Sequence, residues 1–196
     1  RNAIYSGVFV NAAKKVFSNS QNAEMHKWGH YVKGDVKRQE VLKVALEWVC
    51  ASRGMTVDAY MSQHRHDTQI TELENYFRSV IDWVATTFTM VENNMCGIEW
   101  GRLYETYHTT PYSIAHITER VRALLEDESV HCPRNVYEYV LGGEQQHALL
   151  DVRFFDEKDK KAAFKRQTEK AKAEGVSNST LCAIGENKNR TSIYTI

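Results

Sequence analysis

The chain has 196 residues, 42% of them hydrophobic and 11% aromatic. That suits one domain, or one domain with part of a second, and excludes a chain disordered throughout. The 25 basic and 25 acidic residues cancel, so no overall charge draws the molecule to nucleic acid or membrane, and any such binding needs a local patch.

Two prolines against ten glycines favour long helices over a turn-dense β sandwich. No run of about eighteen apolar residues occurs, so neither a transmembrane helix nor a membrane partner is expected. No basic-then-apolar leader opens the chain, and its start at Arg1 predicts a fragment or a processed product. The cysteines, Cys50, Cys96, Cys132 and Cys182, are widely spaced and form no C-x-x-C pair. A chain able to build a core does not need disulfides, which points to a cytoplasmic setting. Cys50 lies in an apolar helical pattern and reads as a buried thiol.

In chain order, a short helix is expected over Val8–Phe17 after Ser6-Gly7, and another over Ala23–Tyr31, stopped near Gly34. From Lys37 to Ala51, Val41, Leu42, Ala45, Trp48 and Val49 share one helical face. Gly54 ends that helix, and Thr56 caps a short one through Ser62. Thr71–Phe88 is the clearest helix, with Leu73, Phe77, Val80, Ile81, Val84 and Phe88 in one broad stripe. Glu99–Tyr107 puts Trp100, Leu103, Tyr104 and Tyr107 on one face. Pro111 marks a boundary, and Ser113 caps Ile114–Glu126 with Ile117, Val121, Leu124 and Leu125 inward. Pro133 and Asn135 start a short element over Val136–Leu141, and Gly142-Gly143 turns the chain. Leu149–Phe155 alternates and is rich in branched and aromatic residues, which reads as a strand. Asp156-Glu157 opens a basic helix, their charge suiting its positive end. Gly175–Thr180 reads as a polar loop and Thr191–Ile196 as a strand.

The run His64-Arg65-His66-Asp67 begins like a metallo-hydrolase H-x-H-x-D-H motif. Thr68 and Gln69 stand where the next carboxylate and imidazole belong. Metal sites need their full ligand set, so a polar linker between helices explains the run better. His26 and His30, four apart, share a helical face, but Lys27 breaks any H-E-x-x-H pattern, and an amphipathic helix accounts for them. Gly143 to His147 (GEQQH) loosely resembles a DGQQR nucleotide-site motif; Gly143 stands for Asp and Glu144 for Gly, so it reads as a loop without a catalytic role. Glu126, Asp127 and Glu128 form a solvated charge run at a helix end rather than an acid–base pair.

The basic helix is the stronger signal. Between Lys158 and Lys172 stand seven basic residues (Lys158, Lys160, Lys161, Lys165, Arg166, Lys170, Lys172) and two acidic ones, Asp159 and Glu169. Lys158, Lys161, Lys165 and Lys172 cluster on the helical wheel. Such a stripe can neutralise phosphates, which is the main source of non-specific DNA affinity, without reading sequence. An ordinary solvated helix carries the same composition.

Four stretches in order resemble GmrSD-like defence nucleases. They are Arg1 to Gly7 (RNAIYSG); Arg38-Gln39-Glu40 with Leu42 and Trp48; Phe77 to Trp83 (FRSVIDW) with Phe88, followed by Gly97 to Gly101 (GIEWG); and Val152 to Phe155 (VRFF) with Arg166-Gln167. The family joins an N-terminal ParB-like domain, a helical middle and a C-terminal HNH endonuclease. The resemblance implies that this chain starts with the tail of the ParB-like domain at Arg1 to Gly7 and continues as the middle region with the lead-in to the nuclease. Nucleotide chemistry would then lie upstream of Arg1, and the His-Asn-His residues downstream of Ile196. No catalytic and no metal-ligating residue is carried over to this chain. A divalent metal is implied for the parent nuclease and no cofactor for the chain. Relatives brace the module with a zinc knuckle that begins C-x-x-C; Cys182 keeps the first thiol and Gly185 replaces the second.

The expected fold is mainly α, a bundle-like helical domain over residues 1–148 with a small β element near the C-terminus, residues 149–196 being the nuclease lead-in. The expected role is the non-catalytic helical portion of a restriction or anti-phage DNA endonuclease. It would contact DNA phosphates weakly through Lys158, Lys161, Lys165, Arg166 and Lys172, with homo-oligomerisation left open. The alternative is a protein-binding helical scaffold using exposed aromatics such as Trp28, Tyr31, Trp100 and Tyr104. A third reading, a metal enzyme built on His26, His30, His64 or His66, has the least support.

Overall fold

A computed structural model describes residues 7–151 and 157–175. The chain divides into two compact units, Arg1–Val152 and Arg153–Ile196. Among the described residues there are nine α-helices, short 3-10 turns and no strand. The expected Thr191–Ile196 strand, residues 176–180 of the expected loop, and Cys182 lie outside the described residues.

The first unit holds α1 (Val8–Phe17), α2 (Met25–Gly29), α3 (Glu40–Ser52), α4 (Val57–Gln63), α5 (Thr71–Thr87), α6 (Trp100–Tyr107), α7 (Ile114–Leu125) and α8 (Val136–Leu141). Helices α3, α5 and α6 pack on one another at its centre, α1 and α4 lean on α3, and α7 pairs with α8. The apolar stripe of α5 explains its central place, since Leu73, Phe77, Val80, Ile81 and Val84 are all buried. Phe77 is ringed by Phe17, Trp28 and Trp48 at centroid distances of 5.2, 5.0 and 5.4 Å. Trp100 gathers a second aromatic group, Tyr31, Phe88 and Tyr137, at 6.4, 5.7 and 5.6 Å. Each such buried ring contributes about 1.5–3 kcal/mol by leaving water, and aromatic pairing adds about 0.5–1.5 kcal/mol.

Local chemistry sets the helix ends. Thr56 Oγ1 accepts from the Ala59 N–H at 3.2 Å and caps α4. Ser113 Oγ accepts from the His116 N–H at 3.4 Å at the start of α7. Helix α3 begins later than Lys37, because Val36–Arg38 forms a 3-10 turn and Gln39 is left-handed at φ 61°. Two carboxylates hold that turn: Asp35 accepts from the Lys37 N–H at 2.8 Å, and Glu40 from the Asp35 N–H at 2.5 Å. Helix α2 is shorter than Ala23–Tyr31, since the Tyr31 and Val32 N–H groups both donate to the Trp28 carbonyl and close the end.

One expectation needs correcting. Leu149 and Leu150, read as the start of a strand, belong to a 3-10 turn over His147–Leu150. Leu150 is buried, and Asn135 Nδ2 donates to the Leu149 carbonyl at 2.8 Å, which turns this segment onto α8 instead of extending it. Asp151 then takes a left-handed conformation at φ 52°. The rest of that expected strand, Val152–Phe155, lies outside the described residues.

Candidate nucleic-acid interface

Helix α9 spans Glu157–Glu174 in the second unit, a length of about 27 Å at 1.5 Å per residue. It is polar along most of its circumference. Phe164, Thr168 and Ala171, spaced at four and three residues, are its covered positions, and Thr168 Oγ1 donates to the Phe164 carbonyl at 2.8 Å. Lys161, Lys165, Arg166 and Lys172 are exposed, and Lys158 lies in the first turn. At about 100° per residue, Lys161, Lys172 and Lys165 fall within an arc of roughly 40°, whereas Arg166 lies about 100° further round. Of the five expected phosphate contacts, the helix therefore brings Lys161, Lys165 and Lys172 onto one line and sets Arg166 to the side, with Lys158 in the first turn. Lys161 and Lys172 are about 16 Å apart along the axis, close to five base steps of a duplex strand at about 3.4 Å each. Lys170, off that line, pairs with Glu174 at 3.9 Å.

The other candidate residues are in the first unit. His64 ends α4 with its ring against Tyr60 and Phe9, at centroid distances of 4.3 and 5.6 Å. Its Nδ1 is 2.8 Å from Asp67 and its Nε2 3.7 Å from Glu72. Glu72 also takes Arg53 at 2.6 Å and the Tyr60 hydroxyl at 3.4 Å. Burial, followed by the Glu72 charge, pushes the Tyr60 hydroxyl well above its usual range. This cluster joins the end of α4 to the start of α5. His66 is exposed. His26 and His30 meet edge to face at 4.9 Å. Among the described residues, no three His, Cys, Asp or Glu side chains gather as a metal-binding group.

The loop Gly143–His147 is built around an ion pair. Glu144 sits at φ 60°, and its carboxylate accepts two hydrogen bonds from Arg120, at 2.7 and 2.6 Å. The Arg120 guanidinium holds the Glu144 carboxyl below its ordinary range. Arg102 and Glu138 make a similar pair between α6 and α8, at 2.8 and 2.5 Å. Neither pair showed in the sequence, because the partners stand 24 and 36 residues apart and no local spacing links them.

The aromatic surface of the scaffold alternative does not exist as expected. Trp28, Tyr31 and Trp100 are buried in the core, and Tyr104 is half-buried against Tyr76, Trp83 and His108. Their helical spacing signals packing rather than display, since large rings gain most when covered.

No family model matches the chain, and neither the curated proteins nor the solved structures compared with it gave a match. No helix among the described residues is long and apolar enough to cross a membrane.

Proposed function

We propose that this chain is the helical portion of a cytoplasmic DNA endonuclease of the restriction or anti-phage type, and that α9 contacts the phosphate backbone of DNA. The observation that carries this reading is the row of exposed lysines, Lys161, Lys165 and Lys172, on one side of α9. Arg166 widens the basic surface, and Lys158 adds a charge in the first turn. The ordered resemblance to GmrSD-like nucleases supplies the biological setting.

The chemistry of the contact is electrostatic. Each lysine that neutralises a phosphate releases condensed counterions, so affinity comes without base readout. In such an enzyme bond cleavage would belong to the HNH module, where a divalent metal would supply charge stabilisation to the departing oxygen. No position of this chain matches those ligands, so its part is to bind and position. The first unit suits a rigid spacer: its helices close around two aromatic clusters.

The test is a titration of the full chain with a labelled duplex of unrelated sequences. Affinity is expected to fall by at least tenfold between about 50 and about 200 mM salt, and to be similar for all sequences. Salt-insensitive binding, or none at low salt, would remove the phosphate contact.

A further inference from the structure

Helices α1 and α4 both rest on α3 and leave a cavity of about 420 Å³ between them. Its walls are apolar: Phe9 and Val10 from α1, Leu42 and Leu46 from α3, Val57 and Met61 from α4. Phe9 joins α1 to α4 through Tyr60, at a ring-centroid distance of 6.0 Å, so the two helices meet at that point and stand apart along the cavity. Its polar lining includes Lys14, Lys43 and Glu47. Lys43 and Glu47 neutralise each other across one helical turn at 3.5 Å. Among the described residues Lys14 has no ion-pair partner, which leaves the lining one positive charge in excess. An apolar chamber of this size with few polar groups is the usual form of a small-molecule site.

We propose that this cavity binds one molecule of a free medium-chain carboxylate, its alkyl chain between α1, α3 and α4 and its headgroup at the Lys14 ammonium. The volume limits the chain to on the order of ten carbons, taking about 30 Å³ of liquid for each water-sized group. The single excess charge favours a monoanion. Lys15, in the same helical turn but outside the lining, provides a control.

The experiment is calorimetric titration of the full chain with decanoate below its aggregation concentration, beside decan-1-ol and decyltrimethylammonium. Decanoate is expected to saturate at one per chain and to bind roughly threefold to fivefold tighter than the alcohol, a gain typical of an exposed ion pair. The cationic amphiphile should bind most weakly. Lys14→Ala should bring decanoate down to the level of the alcohol and leave the alcohol unchanged, while Lys15→Ala alters neither. Val57→Phe, at a half-buried wall position, should weaken both by tenfold or more through lost space. Lys14→Ala still tests the headgroup contact should Val57→Phe not fold. Phosphatidylglycerol vesicles should leave the protein in the supernatant on sedimentation. Equal affinity for decanoate and the alcohol, unsaturable binding, indifference to Lys14→Ala, a folded Val57→Phe that binds normally, or pelleting with vesicles would each overturn the proposal.

Discussion

Gly101 passes Trp48 so closely that a Cβ on it would stand 2.5 Å from the indole Cγ and 2.8 Å from Cδ1. This is how α6 approaches α3 at the centre of the first unit. The indole has no room to retreat, because it stacks on Phe77 at 5.4 Å. Gly101→Ala is therefore expected to cost about 2–3 kcal/mol in urea unfolding, the upper part of the range for overpacking a tight core. Gly29, at the end of α2 with open space around its Cα, gives the contrast: Gly29→Ala should gain about 0.5 kcal/mol. Equal effects at the two sites would contradict the close crossing.

The Arg120–Glu144 pair should make stability depend on pH. Pairing lowers the folded-state Glu144 pKa below its ordinary 4.5. The pair's contribution is then complete above about pH 4.5 and is lost as pH falls through the lowered value. Both side chains are partly exposed, so solvent screening limits the contribution to about 1 kcal/mol near neutrality. The difference in urea midpoint between the unaltered protein and Glu144→Gln should be largest near pH 7 and shrink as pH falls below about 4.5. A difference that grew on acidification would rule out this pairing.

Tyr112 ties the connection between α6 and α7 to α5 through its hydroxyl. It accepts from the Trp83 indole N–H at 2.6 Å and shares a hydrogen bond with Thr87 Oγ1 at 3.0 Å. Tyr112→Phe strips the indole N–H of its acceptor in a half-buried setting, at an expected cost of about 1–2 kcal/mol. Replacing Trp83 with Phe in that background should then cost less than it does alone, as double-mutant-cycle analysis of unfolding would show.

Burial pushes the Cys50 thiol up to about 11, with the Glu47 charge adding to the shift. The thiolate is the reactive form, so Cys50 should resist iodoacetamide at about pH 8 until the protein unfolds. Cys96 and Cys132, both half-buried, should be alkylated earlier. Mass spectrometry of labelled peptides checks the order; native labelling of Cys50 at their rate would contradict its burial.

Helix identity was legible wherever an apolar stripe repeats over several turns, as in α5 and α7, because the stripe and the covered face are the same residues. Boundaries set by a side chain and a nearby N–H were legible too, as at Thr56 and Ser113. The left-handed Gln39 was not, since nothing in its residue type demands φ 61°; the turn is imposed by the neighbouring carboxylates. The start of the expected Leu149–Phe155 strand was misplaced for a related reason: Leu150 is buried from a 3-10 turn, which a period of two does not reveal. Periodicity also grouped Trp100 and Tyr104 on one face without saying that α3 and α5 cover much of it. Of the resembling stretches, Trp48, Phe77 and Gly101 act in packing, so that part of the resemblance speaks for fold rather than chemistry. The basic line on α9 was legible because it needs only the helical repeat; the Lys14 cavity was not, because three separate helices build it.

The central claim is best tested by how DNA affinity varies with salt in the Lys161→Ala/Lys165→Ala double variant of the full chain. The account predicts that the slope of log affinity against log salt becomes shallower by about 1.8, the loss of two phosphate contacts at about 0.9 each, with the same change for every duplex sequence. An unchanged slope, or a loss confined to one sequence, would contradict phosphate binding by α9.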